Sequence, residues 1–362
     1  MKITFLISSL RAGGAERVAS TLCNYWASNG QQVVLITMDA AENDFYPSNQ
    51  AISRYSINAY KSSNNIFSKV QSNIARLLKI RQIIKQQQPD VVVSFMDVSN
   101  MIAILACVST GIPVVISERT YPPYYNHHNF FDFLRKNIYK LSSAFVAQTN
   151  NVASWAKEFL INKPITVIAN PLDNNGLLAD LDQPRSNNII AVGRLCPEKG
   201  FDLLITAFSK CQAAYPDWSL LIIGEGPERK NLEQQIHDLD LTARAKLLGQ
   251  IAAPQTYYAS SKIYVLSSRV EGFPNVLLEA MAHELAVVSF DCTSGPADII
   301  KNNVNGLLVP EQDEQQLLAA MQALLQDEQL RVKLSKQAVK VRDVFNIKVI
   351  SEQWLKVFKS LA

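Results

Sequence analysis

Cysteine is scarce, and what there is carries no cross-linking pattern. Cys23, Cys107, Cys196, Cys211 and Cys292 are odd in number, scattered and never spaced as C-x-x-C. That argues for reduced thiols in a cytosolic protein and against both a disulfide framework and a zinc site. Long apolar runs are missing too. MKITFLISSL is too short to span a bilayer and has no small-residue cleavage site, so it reads as a buried strand rather than a signal peptide. The most apolar later stretch, MIAILACVSTGIPVVIS, is interrupted by Ser109, Thr110, Gly111 and Pro113, so no transmembrane helix is expected. Neither an internal repeat nor a low-complexity tract occurs.

Net charge is small, +3, but unevenly placed. Up to Leu172 there are 16 basic and 9 acidic residues, and beyond it 19 basic and 23 acidic. The first half should therefore prefer anionic surroundings. With 362 residues, 48% hydrophobic and 19% charged, the composition is that of a globular protein, and the length favours two domains of roughly 150–200 residues.

Short β-branched runs alternate with helical stretches: ITFLISSL, VVLITM, DVVVSF, PVVIS, AFVAQT and ITVIA, then NIIAVGRL, SLLIIG, AKLLG, KIYVLSS, LAVVSF and GLLVP. Near-continuous apolar strands of this kind belong to parallel sheets covered on both faces. The fold class expected is α/β, with two Rossmann-like doubly wound domains. Residues 1–172 form the first and 173–345 the second, with a Pro-, Asn- and Asp-rich linker near 172–186. A last helix over about Ile347–Ser360 closes the chain, and whether 346–362 returns to the first domain stays open.

Ligands of such sheets sit at the carboxyl ends of strands, and four motifs fall there. SLRAGGAERVAS offers Gly13 and Gly14 before a helix whose N–H groups and dipole suit a phosphate, or else a glycine-lined turn with no ligand. It is G-G-A-E rather than G-x-G-x-x-G, so a nicotinamide cofactor is disfavoured. VGRLCPEKG sets Arg194 and Lys199 just past a strand, a fork and a point charge suited to a diphosphate leaving group. IIGEGPERKNLE ends a strand in Gly224 and Gly226, leaving room for a flat base or ribose. RVEGFPNVLLEAM puts Glu271 in a loop and Glu279 about one turn inside the following helix, so two carboxylates bracket a helix N-terminus. N–H groups at 274–276 would hold phosphate oxygens, and each carboxylate would accept from hydroxyls on either side.

E-G-F-P-N-V-L-L-E, together with G-R-L-C-P-E-K-G, the G-E-G-P turn and the N-terminal G-G-A-E, resembles the E-x7-E family 4 glycosyltransferases in order and spacing across essentially the whole chain. The resemblance is to the bacterial cell-surface polysaccharide and lipid-linked oligosaccharide type. It implies the GT-B fold, two Rossmann-like domains facing a central cleft, and retaining, metal-independent transfer from a nucleotide sugar that is substrate rather than cofactor. Carried over, Arg194 and Lys199 would hold the donor diphosphate, Glu279 the ribose and Glu271 the transferred sugar. Gly13, Gly14, Gly224, Phe273, Pro274, Asn275 and Val276 would complete the donor-contacting set. The D-x-D strings Asp180-Leu181-Asp182 and Asp238-Leu239-Asp240 fall outside these motifs, and no metal site is expected. Relatives often carry S-E-H after the PVVIS strand, where this chain has Ser117-Glu118-Arg119. A guanidinium is no base at neutral pH, so either Arg119 stabilises developing negative charge or Glu118 takes the polar role. His127 and His128 lie nearby in an aromatic loop.

Two segments suggest partners. Phe67–Gln88 contains Lys69, Arg76, Lys79, Arg81 and Lys85 and no acid, with Val70, Ile74, Leu77, Ile80 and Ile84 at helical spacing. Residues 121–140, YPPYYNHHNFFDFLRKNIYK, mix aromatics with Arg135, Lys136 and Lys140. Both suit an anionic membrane surface or a long apolar acceptor, and no nucleic-acid motif accompanies them. The expected function is transfer of a hexose or N-acetylhexosamine, N-acetylgalactosamine or N-acetylglucosamine first, from a UDP-sugar to a polyprenyl-diphosphate-linked saccharide. The enzyme is expected in the cytoplasm, peripherally bound to the inner face of the cell membrane. The competing readings are a nucleotide-sugar epimerase or hydrolase on the same fold, and a non-catalytic nucleotide-sugar-binding protein.

Overall fold

The computed structural model describes residues 1–57, 66–125, 129–172 and 184–361. His127, His128 and Asp180-Leu181-Asp182 lie outside the described residues, as do the side chains of Phe67, Lys69 and Val70. The chain forms two compact units, Met1–Pro171 with Ile347–Ala362, and Leu172–Asn346.

In the first unit, strands β1 (Lys2–Ile7), β2 (Gln32–Thr37), β3 (Ser53–Ser56), β4 (Val91–Phe95), β5 (Val114–Ser117), β6 (Ala144–Ala147) and β7 (Ile165–Val167) pair in the order β3-β2-β1-β4-β5-β6-β7. All the pairings are parallel. Successive side chains of a strand point to opposite faces, and here both faces are covered. Ile3, Phe5 and Ile7 pack with Val18, Leu22 and Trp26 of the Gly14–Ser28 helix. Leu6 packs on the other side with Val34, Ile36, Ile80, Ile84 and Val92. That double burial is why the strands read as continuous apolar runs. β3 is the strand the apolar runs did not announce. Its residues SRYS sit at the sheet edge with intermediate or full exposure, held by pairing to β2 rather than by burial.

The Ile347–Lys359 helix belongs to this first unit. Trp354 and Phe358 are buried against Trp26, with ring centroids 6.4 and 5.6 Å away, and Trp354 also meets Phe95. The Trp26 indole N–H donates to Ser351 Oγ at 3.0 Å. The last turns of the chain thus complete a core begun by its first strand.

The second unit contains β8 (Asn188–Val192), β9 (Ser219–Ile223), β10 (Ala245–Leu247), β11 (Ile263–Leu266), β12 (Ala286–Asp291) and β13 (Leu307–Pro310) in the order β10-β9-β8-β11-β12-β13. The strand order reverses between β8 and β11 here and between β1 and β4 in the first unit, and such points open a crevice at the carboxyl ends. Trp354→Ala should destabilise the first unit by about 3–5 kcal/mol through the lost packing and the cavity left behind. Denaturant unfolding combined with hydrogen exchange of first-unit peptides would measure it.

Candidate active site

The loops after β8, β9 and β11 meet at the reversal point of the second sheet. β8 is extended by the Gly193 N–H donating to the Ile223 carbonyl, and the Leu195 N–H reaches the Glu225 carbonyl. A Cβ at Gly224, which has φ +150°, would collide with the Gly193 carbonyl, and one at Gly226 with the Leu195 carbonyl. Gly224 therefore makes space for neighbouring backbone. Gly200, at φ +60°, presses on the Ser267 carbonyl in the same way. The left-handed conformation and that contact together demand glycine.

Pro197–Lys199 form one 3-10 turn ahead of the Phe201–Cys211 helix. From it Lys199 Nζ donates to Glu271 Oε1 at 2.6 Å, and Ser268 Oγ donates to the same oxygen at 2.7 Å. The side chains are 21% and 8% exposed. Burial opposes the Lys199 charge, but Glu271 outweighs it and holds the ammonium above its usual value. Two groups assigned from sequence to neighbouring parts of a ligand, the diphosphate and the transferred sugar, are thus partners in this structure. Arg194 is exposed on the same loop. Glu198 is kept below the ordinary carboxylate range by the Cys196 thiol first and its own backbone N–H next, with Arg194 and Lys199 adding to this against the cost of burial.

Past β11, Pro274 precedes the Asn275–Ala282 helix, and its carbonyl accepts from the Leu277 N–H at 3.0 Å. Of the 274–276 donors expected from sequence, only Asn275 and Val276 carry an N–H, because proline has none. Phe273 is buried with its ring 6.0 Å from Phe345, so its side chain packs the loop rather than facing outward. Pro274 is pinned by Gly295, where a Cβ would strike its ring, and Ser294 Oγ donates to the Gly272 carbonyl at 3.1 Å. Glu279 is 3% exposed and Glu271 9%, so neither is a solvated surface charge. Both act on the phenol of Tyr264 in β11, which burial, then Glu271, then Glu279 raise well above its usual pKa. Asp238 and Asp240 lie apart, exposed at the far end of the Arg229–Asp238 helix.

In the first unit, Gly13 stands before the Gly14–Ser28 helix at the β1/β4 reversal. The space its missing side chain leaves is filled by the carboxylate of Glu16, which a Cβ at Gly13 would overlap. Ser9 Oγ donates to Glu16 at 3.5 Å, and burial raises the Glu16 pKa. A helix N-terminus favours negative charge, and here the chain supplies its own, which the phosphate reading of Gly13 and Gly14 did not foresee.

Glu118 and Arg119 follow β5 and are 2% and 7% exposed. Glu118 accepts from the Tyr139 hydroxyl at 2.5 Å and pairs with Arg135 at 3.8 Å. Arg119 lies 4.2 Å over the Phe95 ring and donates to Ser117 Oγ and to Asn170 Oδ1. Both side chains are engaged inside the first unit, so a direct part in chemistry would require them to turn out. Buried networks such as this hold a loop in one geometry.

The expected membrane-facing segments keep their chemistry but not their faces. In the Ile66–Gln87 helix, Ile80, Ile83 and Ile84 are buried, whereas Ile74 and Leu78 are 53% and 59% exposed. Arg81 is spent on the carbonyls of Ala106 and Val108, while Lys79 and Lys85 remain exposed. In the Asn129–Tyr139 helix apolar residues lie on both sides, Phe131 and Ile138 packing against the core. Arg135 and Tyr139 are buried, and Phe130, Phe133 and Leu134 are 68%, 66% and 40% exposed. The spacing could not show that Arg135 is buried with Asp132 of its own helix, the Trp155 ring and Glu118 as its partners.

Comparison with known proteins sets the chain in a wider group. The model described as "Glycosyltransferase Family 4" matches residues 12–175, and "Glycosyl transferases group 1" matches residues 180–341. The chain is 30% identical over 352 residues, 94% of each chain, to the Campylobacter jejuni N-acetylgalactosamine-N,N'-diacetylbacillosaminyl-diphospho-undecaprenol 4-alpha-N-acetylgalactosaminyltransferase. It is 28% identical over 359 residues, 99% of this chain and 98% of the relative, to a second enzyme of that organism, GalNAc-alpha-(1->4)-GalNAc-alpha-(1->3)-diNAcBac-PP-undecaprenol alpha-1,4-N-acetyl-D-galactosaminyltransferase. Anabaena Alr3699/HepE, solved in complex with UDP, superposes with a TM-score of 0.82 at 19% identity, covering 99% of this chain and 100% of that one. The two Rossmann-like units are accordingly those of the GT-B fold.

The enclosed Glu118 generates a pH dependence. Burial, only partly offset by Tyr139 and Arg135, raises its carboxyl from the ordinary 4.5 to about 7. Between those values the unfolded chain has released a proton that the folded chain keeps, so the contribution of Glu118 to stability is fully present below pH 4.5 and is lost as pH rises through about 7. The loss is bounded at about 3 kcal/mol. Denaturant titrations of the full chain across this window should show that the stability difference between wild type and Glu118→Gln changes with this sign.

Proposed function

Because the chain belongs to the family 4 glycosyltransferases, we propose that it moves an N-acetylhexosamine or hexose from a UDP-sugar to a polyprenyl-diphosphate-linked saccharide, with retention of configuration. The observation that carries the reading is the convergence of Arg194, Lys199, Glu271 and the N-terminus of the Asn275–Ala282 helix at one strand-order reversal. Cations and helix amides suit a diphosphate, and buried carboxylates suit hydroxyls. Two relatives whose names specify N-acetylgalactosamine transfer on undecaprenyl-diphosphate saccharides favour an amino-sugar donor.

In this reading donor entry divides the Lys199–Glu271 pair. The ammonium turns to the diphosphate, and the carboxylate freed of it accepts from hydroxyls of the transferred sugar, so neither buried charge is left alone. Glu279 accepts from the ribose. As the bond from sugar to phosphate breaks, negative charge grows on the leaving oxygen, where Arg194 and Lys199 stabilise it more than in the ground state. That oxygen takes the acceptor's proton on the face from which it departs. The acceptor's new bond then forms on the same face, and configuration is retained. Glu118 and Arg119, fixed inside the first unit, act by shaping the loop after β5.

The acceptor lipid gives the exposed Phe130, Phe133 and Leu134, with Lys136 and Lys140 beside them, a purpose. Aromatics flanked by lysines suit an anionic membrane interface. No helix among the described residues is long and apolar enough to cross a membrane, and the proposed enzyme works from the cytoplasmic face as a peripheral protein.

The deciding experiment is a UDP-release screen across UDP-sugars with and without a polyprenyl-diphosphate-sugar. Release that requires acceptor and one donor is expected. Release without acceptor would mean a hydrolase, UDP binding without release a non-catalytic binder, and GDP release from GDP-mannose another base. Lys199→Ala should lower turnover by roughly 10²–10³-fold, and undiminished turnover would remove Lys199 from the mechanism. Phe130→Asp with Phe133→Asp should sharply reduce co-sedimentation with anionic vesicles while leaving UDP binding intact.

A further inference from the structure

The Lys199–Glu271 pair joins two separate loops, and one side chain assigned no role so far fastens them. Arg269 stands two residues before Glu271. Its backbone N–H donates to the Glu198 carbonyl at 2.8 Å, and Nη1 to the Pro197 carbonyl at 2.6 Å. The guanidinium also forks onto Asp202, Nη1 to Oδ1 at 2.9 Å and Nη2 to Oδ2 at 2.6 Å. Asp202 lies in the first turn of the Phe201–Cys211 helix. Two residues before Arg269, Ser267 Oγ donates to the Lys199 carbonyl at 3.0 Å. Contacts from Ser267 and Arg269 thus grip residues 197, 198, 199 and 202 of the Lys199 loop.

We infer that Arg269 is a positioning residue for the proposed transfer, a splint that sets the separation of Lys199 from Glu271 without touching the donor. The geometry argues for this in two ways. First, four bonds from one residue run to both sides of Lys199, so its backbone cannot shift relative to the Glu271 loop without breaking several of them. Second, the guanidinium is committed: its fork matches a carboxylate in the planar arrangement lysine cannot copy, and Nη1 serves a carbonyl as well. Arg269 and Asp202 are 24% and 47% exposed. An ion pair that open to water contributes little to global stability, so its main consequence is local order.

The inference rests on the donor reading above, and the test separates the two. On the full chain, UDP affinity, turnover and thermal midpoint are measured for wild type, Lys199→Ala, Arg269→Ala, Arg269→Lys, Asp202→Asn and the Lys199→Ala/Arg269→Ala pair. UDP binding by wild type, with a turnover loss in Lys199→Ala, supports the donor reading, and absence of both overturns that reading. For the splint, Arg269→Ala should lower kcat by about 10–100-fold, the scale of a small misplacement of a catalytic group. Its donor KM and UDP affinity should change by less than about threefold, because uniform binding is untouched. Arg269→Lys should recover part of kcat, and Asp202→Asn should show a smaller loss in the same direction.

Coupling is the sharper readout. If Arg269 acts through Lys199, removing it from an enzyme already lacking Lys199 should cost far less than removing it from wild type. Additive losses in the double variant, unchanged kcat in Arg269→Ala, or a rise in KM alone would each overturn the splint. Should Arg269→Ala fail to fold, Arg269→Lys and Asp202→Asn carry the same comparison, and equal kcat in both and in wild type would reject it.

Discussion

A lysine and a glutamate held 2.6 Å apart at the carboxyl edge of a parallel sheet set the terms for everything around them. Taking two charges out of water is costly unless each has a close partner and further hydrogen bonds. Lys199 and Glu271 meet that condition for one another, with Ser268 as a third member. The condition can hold only if the loops after β8 and β11 are kept in register. Gly200 against the Ser267 carbonyl, Gly224 against the Gly193 carbonyl and Gly295 against Pro274 are the contacts that leave no room for slack.

The same logic, with the opposite outcome, governs the first unit. Glu118 is enclosed without a lysine and rests instead on the Tyr139 hydroxyl and a more distant Arg135. Arg135 and Tyr139 are buried beside Phe131 and Ile138 on the core side of the Asn129–Tyr139 helix, while Phe130 and Phe133 face solvent.

How far these features were legible before the structure depends on the range of the forces involved. The α/β class was legible because parallel strands buried on both faces leave apolar runs in the sequence. Of the strands, β3 escaped because its residues SRYS form no apolar run and are held by pairing to β2. Arg194, Lys199, Glu271 and Glu279 could be singled out because glycine-flanked loops after strands announce themselves. Their partnerships could not. The pairing of Lys199 with Glu271, the Glu16 carboxylate over Gly13 and the enclosure of Glu118 all depend on residues far apart in sequence or on how one side chain folds back. The carbonyl packed against Gly224 was hidden for the same reason, since the string of letters does not show what backbone lies across from a glycine.

By itself, then, the sequence determined the class of sheet, the two runs of strands and the chemical types gathered at strand ends. Those follow from local periodicity and from the fixed geometry of glycine and proline. Tertiary structure alone decided which charges meet, which face of the Asn129–Tyr139 helix is dry, and that Trp354 and Phe358, from the last helix, close the core that Phe5 begins. The physical reason is that burial and ion pairing are set by proximity in space, and proximity between the ends of a 362-residue chain exists only once the sheets have formed.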